Sequence, residues 1–244
     1  MKKIKILFVC ASMKVGGAEK SLVNLLNLID YSKYDVDLLL LQKQGAFLKQ
    51  IPEQVKILEL KSRARALYNS ENRKIHEYLM SVIKYVVTFV ELIRWKEYDV
   101  LRAHRWKDIY SKLCENVEGM YDVVVAFQSG EPTYYAFDKV KSKRYVTFFH
   151  TDISNIKLAN EIERNYLKKA DLIATISTKC VESIRTEFPE LKGKVVCLEN
   201  LSSKKLITRL AGENQPEEFM GFKDCIKIVS VGRLVKLKGY DMVV

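Results

Sequence analysis

Little in this sequence bends or staples a chain. Only four prolines occur in 244 residues, and none interrupts a strong strand pattern, so nothing forbids buried central strands. Cysteine is sparse and badly placed for cross-linking. Cys10, Cys114, Cys180, Cys197 and Cys225 are odd in number, irregularly spaced and without a Cys-x-x-Cys pair. They do not join the three histidines at metal-ligand spacing. A disulfide framework and a structural zinc site are therefore not expected, and a reducing, cytoplasmic setting fits. Long apolar runs are missing too. The most apolar helical stretch, Leu79 to Ile93, spans 15 residues and contains Lys84 and Glu91, too short and too charged for a bilayer. The opening MKKIKILFVCASM places lysines before an apolar run, but that run is short, Lys5 interrupts it and a Gly-Gly turn follows. It reads as a first buried strand rather than a signal peptide. No internal repeat or low-complexity segment is present.

Acidic residues are in deficit: 41 Lys and Arg face 30 Asp and Glu, a net charge of +11. The excess is uneven. From Lys61 to Lys112 twelve basic residues face six acidic ones, so +6 of the +11 sits in about a fifth of the chain. A basic excess favours anionic partners, whether nucleic acid, anionic lipid or a phosphorylated substrate. No nucleic-acid-binding motif accompanies it, so no nucleic acid is expected as a partner.

What the chain does have is alternation. Apolar runs of four to eight residues (Ile4–Cys10, Val36–Leu41, Val55–Leu60, Asp99–Ala103, Val123–Phe127, Tyr145–Phe149, Leu172–Ile176 and Val195–Leu198) read as strands. Helical patterns lie between them, at about Ala18 to Ile29, Asn72 to Lys96, Glu161 to Lys169 and Thr178 to Phe188. Several runs are apolar on both faces, as strands covered by helices on two sides must be. The expected fold class is α/β, a doubly wound, Rossmann-like parallel sheet built from right-handed crossovers. The pattern weakens after residue 199. Residues 200–225 read as a linker with a short helix, and Ile226–Val231 as the first strand of a second domain over 226–244, incomplete in the chain as given.

Three places carry candidate chemistry. The turn after the first strand holds Gly16 and Gly17 and opens a helix with Glu19 in its first turn. Ligands of parallel sheets bind at the carboxyl ends of strands. Glycines there let a backbone approach a phosphate, and the helix N-terminus favours the anion; Glu19 complements the same dipole. The alternative is a tight turn with no ligand. His150 directly follows a strand at the same edge, placed to bond a sugar hydroxyl or act as a base, or else to bond a neighbouring backbone group. Arg233 and Lys238 flank a strand-to-helix turn between Gly232 and Gly239, a pair suited to a diphosphate or a basic surface loop. A nicotinamide-dependent oxidoreductase would need Gly-x-Gly-x-x-Gly after the first strand, and that spacing is absent.

In combination these segments resemble a known family. ILFVCASMKVGGAEKSLVNLLN, YDVVVAFQSGEPTYYAFDKVKSKRYVTFFHTDI, ADLIATISTKCVESIRTEFPE, VVCLENL and SVGRLVKLKGYDMVV are similar, in order, to motifs of the retaining GT-B glycosyltransferases of family 4. The resemblance implies two Rossmann-like domains, with the acceptor held mostly by the first (1–199) and a nucleotide-sugar donor mostly by the second. It implies that Gly16, Gly17 and Glu19 face the cleft and that His150 lies near the reacting sugar. Arg233 and Lys238 would bind the donor diphosphate and stabilise the leaving charge. The family generally needs no metal, and no Asp-x-Asp stands in a plausible site position; no cofactor is expected. The implied activity is hexosyl transfer to a glycan or lipid-linked acceptor in cell-envelope polysaccharide synthesis.

The chain as given ends before the family's Glu-x₇-Glu element, so the expectation is a truncated form with impaired transfer. The alternative is a non-enzymatic module that binds acceptor or membrane. The basic 61–112 region, with Lys84, Arg94 and Lys96 among Val, Ile, Phe and Trp95, suits an anionic membrane surface, which would make the protein peripheral at the inner face of the cell membrane. A core-packed helix with a basic outer face is the competing expectation.

Overall fold

A computed structural model describes residues 2–68, 75–158, 160–213, 226, 228–232, 234 and 239–242, without the side chains of residues 75–81 and 155. The chain divides into two compact units, Met1–Ser203 and Lys204–Val244.

The first unit is built on a seven-stranded sheet. Its strands are β1 (Ile4–Cys10), β2 (Tyr34–Leu40), β3 (Lys56–Leu58), β4 (Met120–Ala126), β5 (Lys141–Phe149), β6 (Leu172–Thr175) and β7 (Val195–Cys197). The order is β3-β2-β1-β4-β5-β6-β7, and every adjacent pair is parallel. Helices α1 (Gly17–Leu26), α2 (Ser62–Tyr68), α3 (Ile75–Arg94), α4 (Tyr98–Arg105), α5 (Ser111–Leu113), α6 (Glu131–Lys139), α7 (Asn160–Lys169) and α8 (Thr178–Glu187) fill the connections. The direction of winding reverses between β1 and β4. That crevice is where a doubly wound sheet binds ligands.

Both sheet faces are covered, as the unbroken apolar strands require. Leu7, Val9, Leu39, Val124 and Ala126 join one core cluster with Trp106, Tyr110, Tyr134 and Leu167. Residues of opposite parity, Phe8, Leu38, Leu40 and Val125, are buried as well, as are Leu22, Val23 and Leu26 of α1. Period-two alternation sends the two sets to opposite faces. Asp35 and Asp37 share a face of β2 but not a site: Asp35 is exposed, whereas Asp37 is buried and accepts a 2.7 Å hydrogen bond from the Tyr121 hydroxyl.

The expected strand at Asp99–Ala103 is instead part of helix α4. Five residues are too few to separate the two periods. Read further, Ala103, Trp106 and Tyr110 are all buried at the three- and four-residue spacing of a helix face. A π turn at Trp106–Tyr110 carries the helix on into α5.

Helix α3 departs from the core-packed expectation. Val82, Tyr85, Val86, Phe89 and Ile93 lie at three- and four-residue spacing and are exposed, Phe89 at 66% and Ile93 at 71%. One helix face therefore carries a contiguous apolar stripe in water, flanked by Arg94 and Lys96. Among the described residues no helix is long and apolar enough to cross a membrane.

In the second unit, α9 spans Lys204–Glu213. The described residues within Ile226–Val231 carry no strand pairing, and Ile226, Ile228, Val229 and Val231 are exposed. Strand geometry is held by a partner strand's N–H and C=O groups, and none pairs with these residues.

Candidate functional site

The site is assembled where β1, β4 and β5 end. After β1 the chain turns through residues 11–16 into α1. This turn is braced from behind: Met13 N donates to the Gln44 carbonyl (2.9 Å) and Phe47 N to the Met13 carbonyl (3.1 Å). Gly45 makes that approach possible. Its φ is +124°, and a Cβ there would stand 2.0 Å from the Met13 carbonyl group. Only glycine meets both demands. Gly16, by contrast, is extended at φ −166°. A Cβ on Gly16 would meet the flexible Glu19 carboxylate, and one on Gly17 would meet nothing within 4 Å. Packing and backbone geometry thus compel Gly45 and leave Gly17 optional.

Gln128, just beyond β4, ties the turn to the sheet. Its Oε1 accepts from Ala11 N at 2.9 Å and from the Cys10 thiol at 3.3 Å. Its Nε2 donates to Glu19 Oε1 at 2.9 Å. One amide therefore joins the end of β1, the end of β4 and the first turn of α1. Burial and the nearby Glu19 charge push the Cys10 thiol up to about 12, so it is not a nucleophile at neutral pH. Beyond Gln128, Gly130 holds φ +78° at the N-cap of α6. Thr133 Oγ1 donates back to the Gln128 carbonyl at 3.1 Å and shares a buried 2.7 Å hydrogen bond with Thr147 Oγ1 of β5.

His150 follows β5 and stands at the end of an aromatic row. Its ring lies 4.9 Å from Phe127 and 5.5 Å from Phe148. Neither ring nitrogen meets solvent or completes a hydrogen bond. Burial lowers the imidazole pKa below the ordinary histidine range, partly offset by the nearby Phe127 backbone. The ring is therefore neutral at pH 7, the form needed of a hydrogen-bonding partner or a base. The next turn is fixed by Asp152, which accepts from Ser154 N (3.0 Å) and Ser154 Oγ (2.7 Å). Those bonds hold its carboxyl well below the usual carboxylate range.

Between these elements lies a cavity of about 240 Å³, walled by Ala11 and Ala18 on one side, by Gln128, Ser129 and Pro132 on another, and by His150, Thr151 and Arg102. Arg102 comes from α4, the helix misread as a strand. Its Nη2 stands 3.5 Å from Glu131 Oε2 and its Nη1 3.8 Å from Asp99 Oδ1. Glu131 is matched more closely by Arg105, at 2.6 Å.

The structure thus brings Glu19 and the wall containing His150 to one edge, through Gln128. Arg233 and Lys238 lie outside the described residues, as does Cys225. His104, partly exposed, stacks on Trp95 at 3.9 Å. Gln128, Gly45 and Arg102 were missed. A Gly at the end of an apolar run signals a turn, but which backbone it must let past is a tertiary fact. Among the described residues no cluster of three or more His, Cys, Asp or Glu has the arrangement of a metal site.

No protein-family model matches the chain, and no curated protein matches it. Among solved structures it is similar to Anabaena Alr3699/HepE in complex with UDP and glucose, at 16% identity and TM-score 0.45, over 86% of this chain and 50% of that one. It is also similar to a glycosyltransferase from Rickettsia africae ESF-5, at 13% identity and TM-score 0.44, over 87% and 50%. A third is Phytolacca americana UGT2 complexed with UDP-2fluoro-glucose and pterostilbene, at 13% identity and TM-score 0.37, over 88% and 58%. The chain spans about half the length of the first two solved chains.

Proposed function

We propose that this chain is the acceptor-side part of a glycosyltransferase that uses a nucleotide-sugar donor. The observation that carries the reading is a meeting of two features. The β1–α1 turn that carries Gly16 and Gly17 and the segment after β5 that carries His150 leave the same carboxyl edge of a doubly wound sheet, beside the reversal between β1 and β4, and Ala11 and Ala18 of the first line one cavity with His150 of the second. A phosphate suits the first, through the N–H groups of α1. A sugar suits the second, which is uncharged and lies against aromatic rings; bonding a hydroxyl requires the ring to turn and bring a nitrogen, closed to solvent here, to the cavity. The five family-4-like segments add the finer terms: retention of configuration, hexosyl transfer, and a glycan or lipid-linked acceptor of the cell envelope. In this reading Arg233 and Lys238 hold the donor diphosphate, residues 226–244 belong to the donor-side domain, and neither metal nor cofactor takes part.

Amide chemical shifts test the reading. UDP-glucose or GDP-sugars should move the signals of Gly16, Gly17 and His150, with Arg233→Ala weakening the response. If millimolar nucleotide sugars leave them unmoved while NADH shifts them, the transfer reading fails in favour of dinucleotide binding. Retention is read from the anomeric configuration of product.

A second reading, an acceptor- or membrane-binding module without turnover, is favoured by α3. Its exposed apolar stripe beside Arg94 and Lys96 has the composition of a helix lying in an anionic lipid interface. Turnover separates the two readings, whereas membrane docking belongs to either: a transferase acting on lipid-linked acceptors at the inner face of the membrane would use that stripe for docking.

A further inference from the structure

The edge cavity has an uneven charge. Among the described residues Arg102 is the only formally charged one in its wall. Glu131, its nearest acid, is held closely by Arg105, while Arg102 itself stands at 3.5 and 3.8 Å from Glu131 and Asp99. Those distances are ion pairing without close hydrogen bonds. A guanidinium has five N–H donors in a planar fork that matches a carboxylate or phosphate. One helix start adds to the same potential. Ala18, the second residue of α1, lines the cavity; Pro132, the second of α6, lines it too but has no N–H. Backbone N–H groups of a first helical turn have no partner within their helix. The volume, about 240 Å³, falls below the roughly 300–1,000 Å³ of sites that enclose a whole small ligand. It suits a single charged group and is too small for a nucleoside diphosphate.

We infer that this cavity seats an oxyanion, a phosphomonoester or a carboxylate, carried by the acceptor, and that Arg102 is its anchor. The assignment to the acceptor rests on the transfer reading; the oxyanion seat itself rests on the cavity alone. The role of Arg102 is binding and positioning: it holds the charged end while the rest of the acceptor extends toward His150.

Calorimetry with glycerol 3-phosphate and succinate tests this, with glycerol as the neutral control and UDP-glucose as the donor. The expected result is binding of at least one anion and none of glycerol, with affinity falling tenfold or more in Arg102→Gln. The tighter of the two anions identifies the group carried. Ala18→Glu serves as the second variant: it leaves Arg102 and its ion pairs in place, suits a first helical turn, and sets a carboxylate in the cavity wall. It should weaken the anions by a similar factor. Anions that bind both variants as tightly as the parent, or no better than glycerol, overturn the proposal. So does an Arg102→Gln chain that loses UDP-glucose but keeps the anions, because the seat would then be the donor's. Arg102-dependent anion binding in a chain that ignores every nucleotide sugar upholds the seat and removes the transfer reading instead.

Discussion

Gln128 Nε2 donates to Glu19 Oε1 across 2.9 Å, joining residues 109 positions apart and locking the first turn of α1 to the end of β4. The same amide's oxygen accepts from Ala11 N, so one side chain sets the shape of the turn. Gln128→Ala strands the Ala11 N–H and the Glu19 carboxylate. The expected loss is about 1–3 kcal/mol, read from urea unfolding with an unchanged m-value. Gln128→Glu should be worse, because it sets a second carboxylate against Glu19.

Gly45 and Gly17 should respond oppositely to alanine. Gly45→Ala meets the Met13 backbone at a position with φ +124°, and a loss of roughly 2–4 kcal/mol is expected. Gly17→Ala has open space and should change stability by less than about 1 kcal/mol. If Gly17 faces a bound phosphate, its alanine variant keeps the fold and loses the nucleotide-sugar response. Loss of that response with no change in stability is the diagnostic combination.

Glu163 imposes a pH dependence. It is buried against Tyr134, whose hydroxyl donates to it, and burial raises its pKa from 4.5 to about 7. The folded chain keeps a proton that the unfolded chain gives up between those values. Its stabilising effect is therefore complete below about pH 4.5 and fades as pH rises to about 7. Glu163→Gln stays neutral and still accepts from Tyr134. It should flatten that slope and raise stability above pH 7 by at most about 3 kcal/mol over the parent. An unchanged slope would show that the carboxyl is already ionised in the fold.

His150 should titrate below the ordinary histidine range, because burial opposes its charged form. The imidazole carbon-bound proton shifts, followed by NMR from pH 8 to 4.5, report this directly. A midpoint at or above the ordinary value would contradict the buried, unpartnered ring.

The α3 stripe separates surface from core. Phe89 and Ile93 are exposed, so Phe89→Glu and Ile93→Glu should change stability by no more than about 0.5 kcal/mol. Both should abolish co-sedimentation with vesicles rich in phosphatidylglycerol. Vesicle binding that survives both changes would leave the stripe without a lipid partner.

The apolar runs determined most of the fold by themselves. Strands whose later residues are apolar on both faces, such as IKILFVC and YDVDLLL, are buried between two helical layers, and intervening helices force parallel crossovers. That made the sheet, and the placing of the Gly-Gly turn and His150 at strand ends, legible without coordinates. Asp99–Ala103 was not legible, since five residues satisfy both periods and only the burial of Trp106 and Tyr110 further on decides between them. Nor could the pattern tell whether the apolar stripe of α3 meets core or water, because a stripe records that a face is apolar and not what covers it. The site's inner wiring belongs to the tertiary structure for the same reason. Gln128 reaches Glu19, Gly45 yields to Met13, and Arg102 enters the cavity from another helix, all through contacts between segments far apart in the chain, which local spacing does not encode.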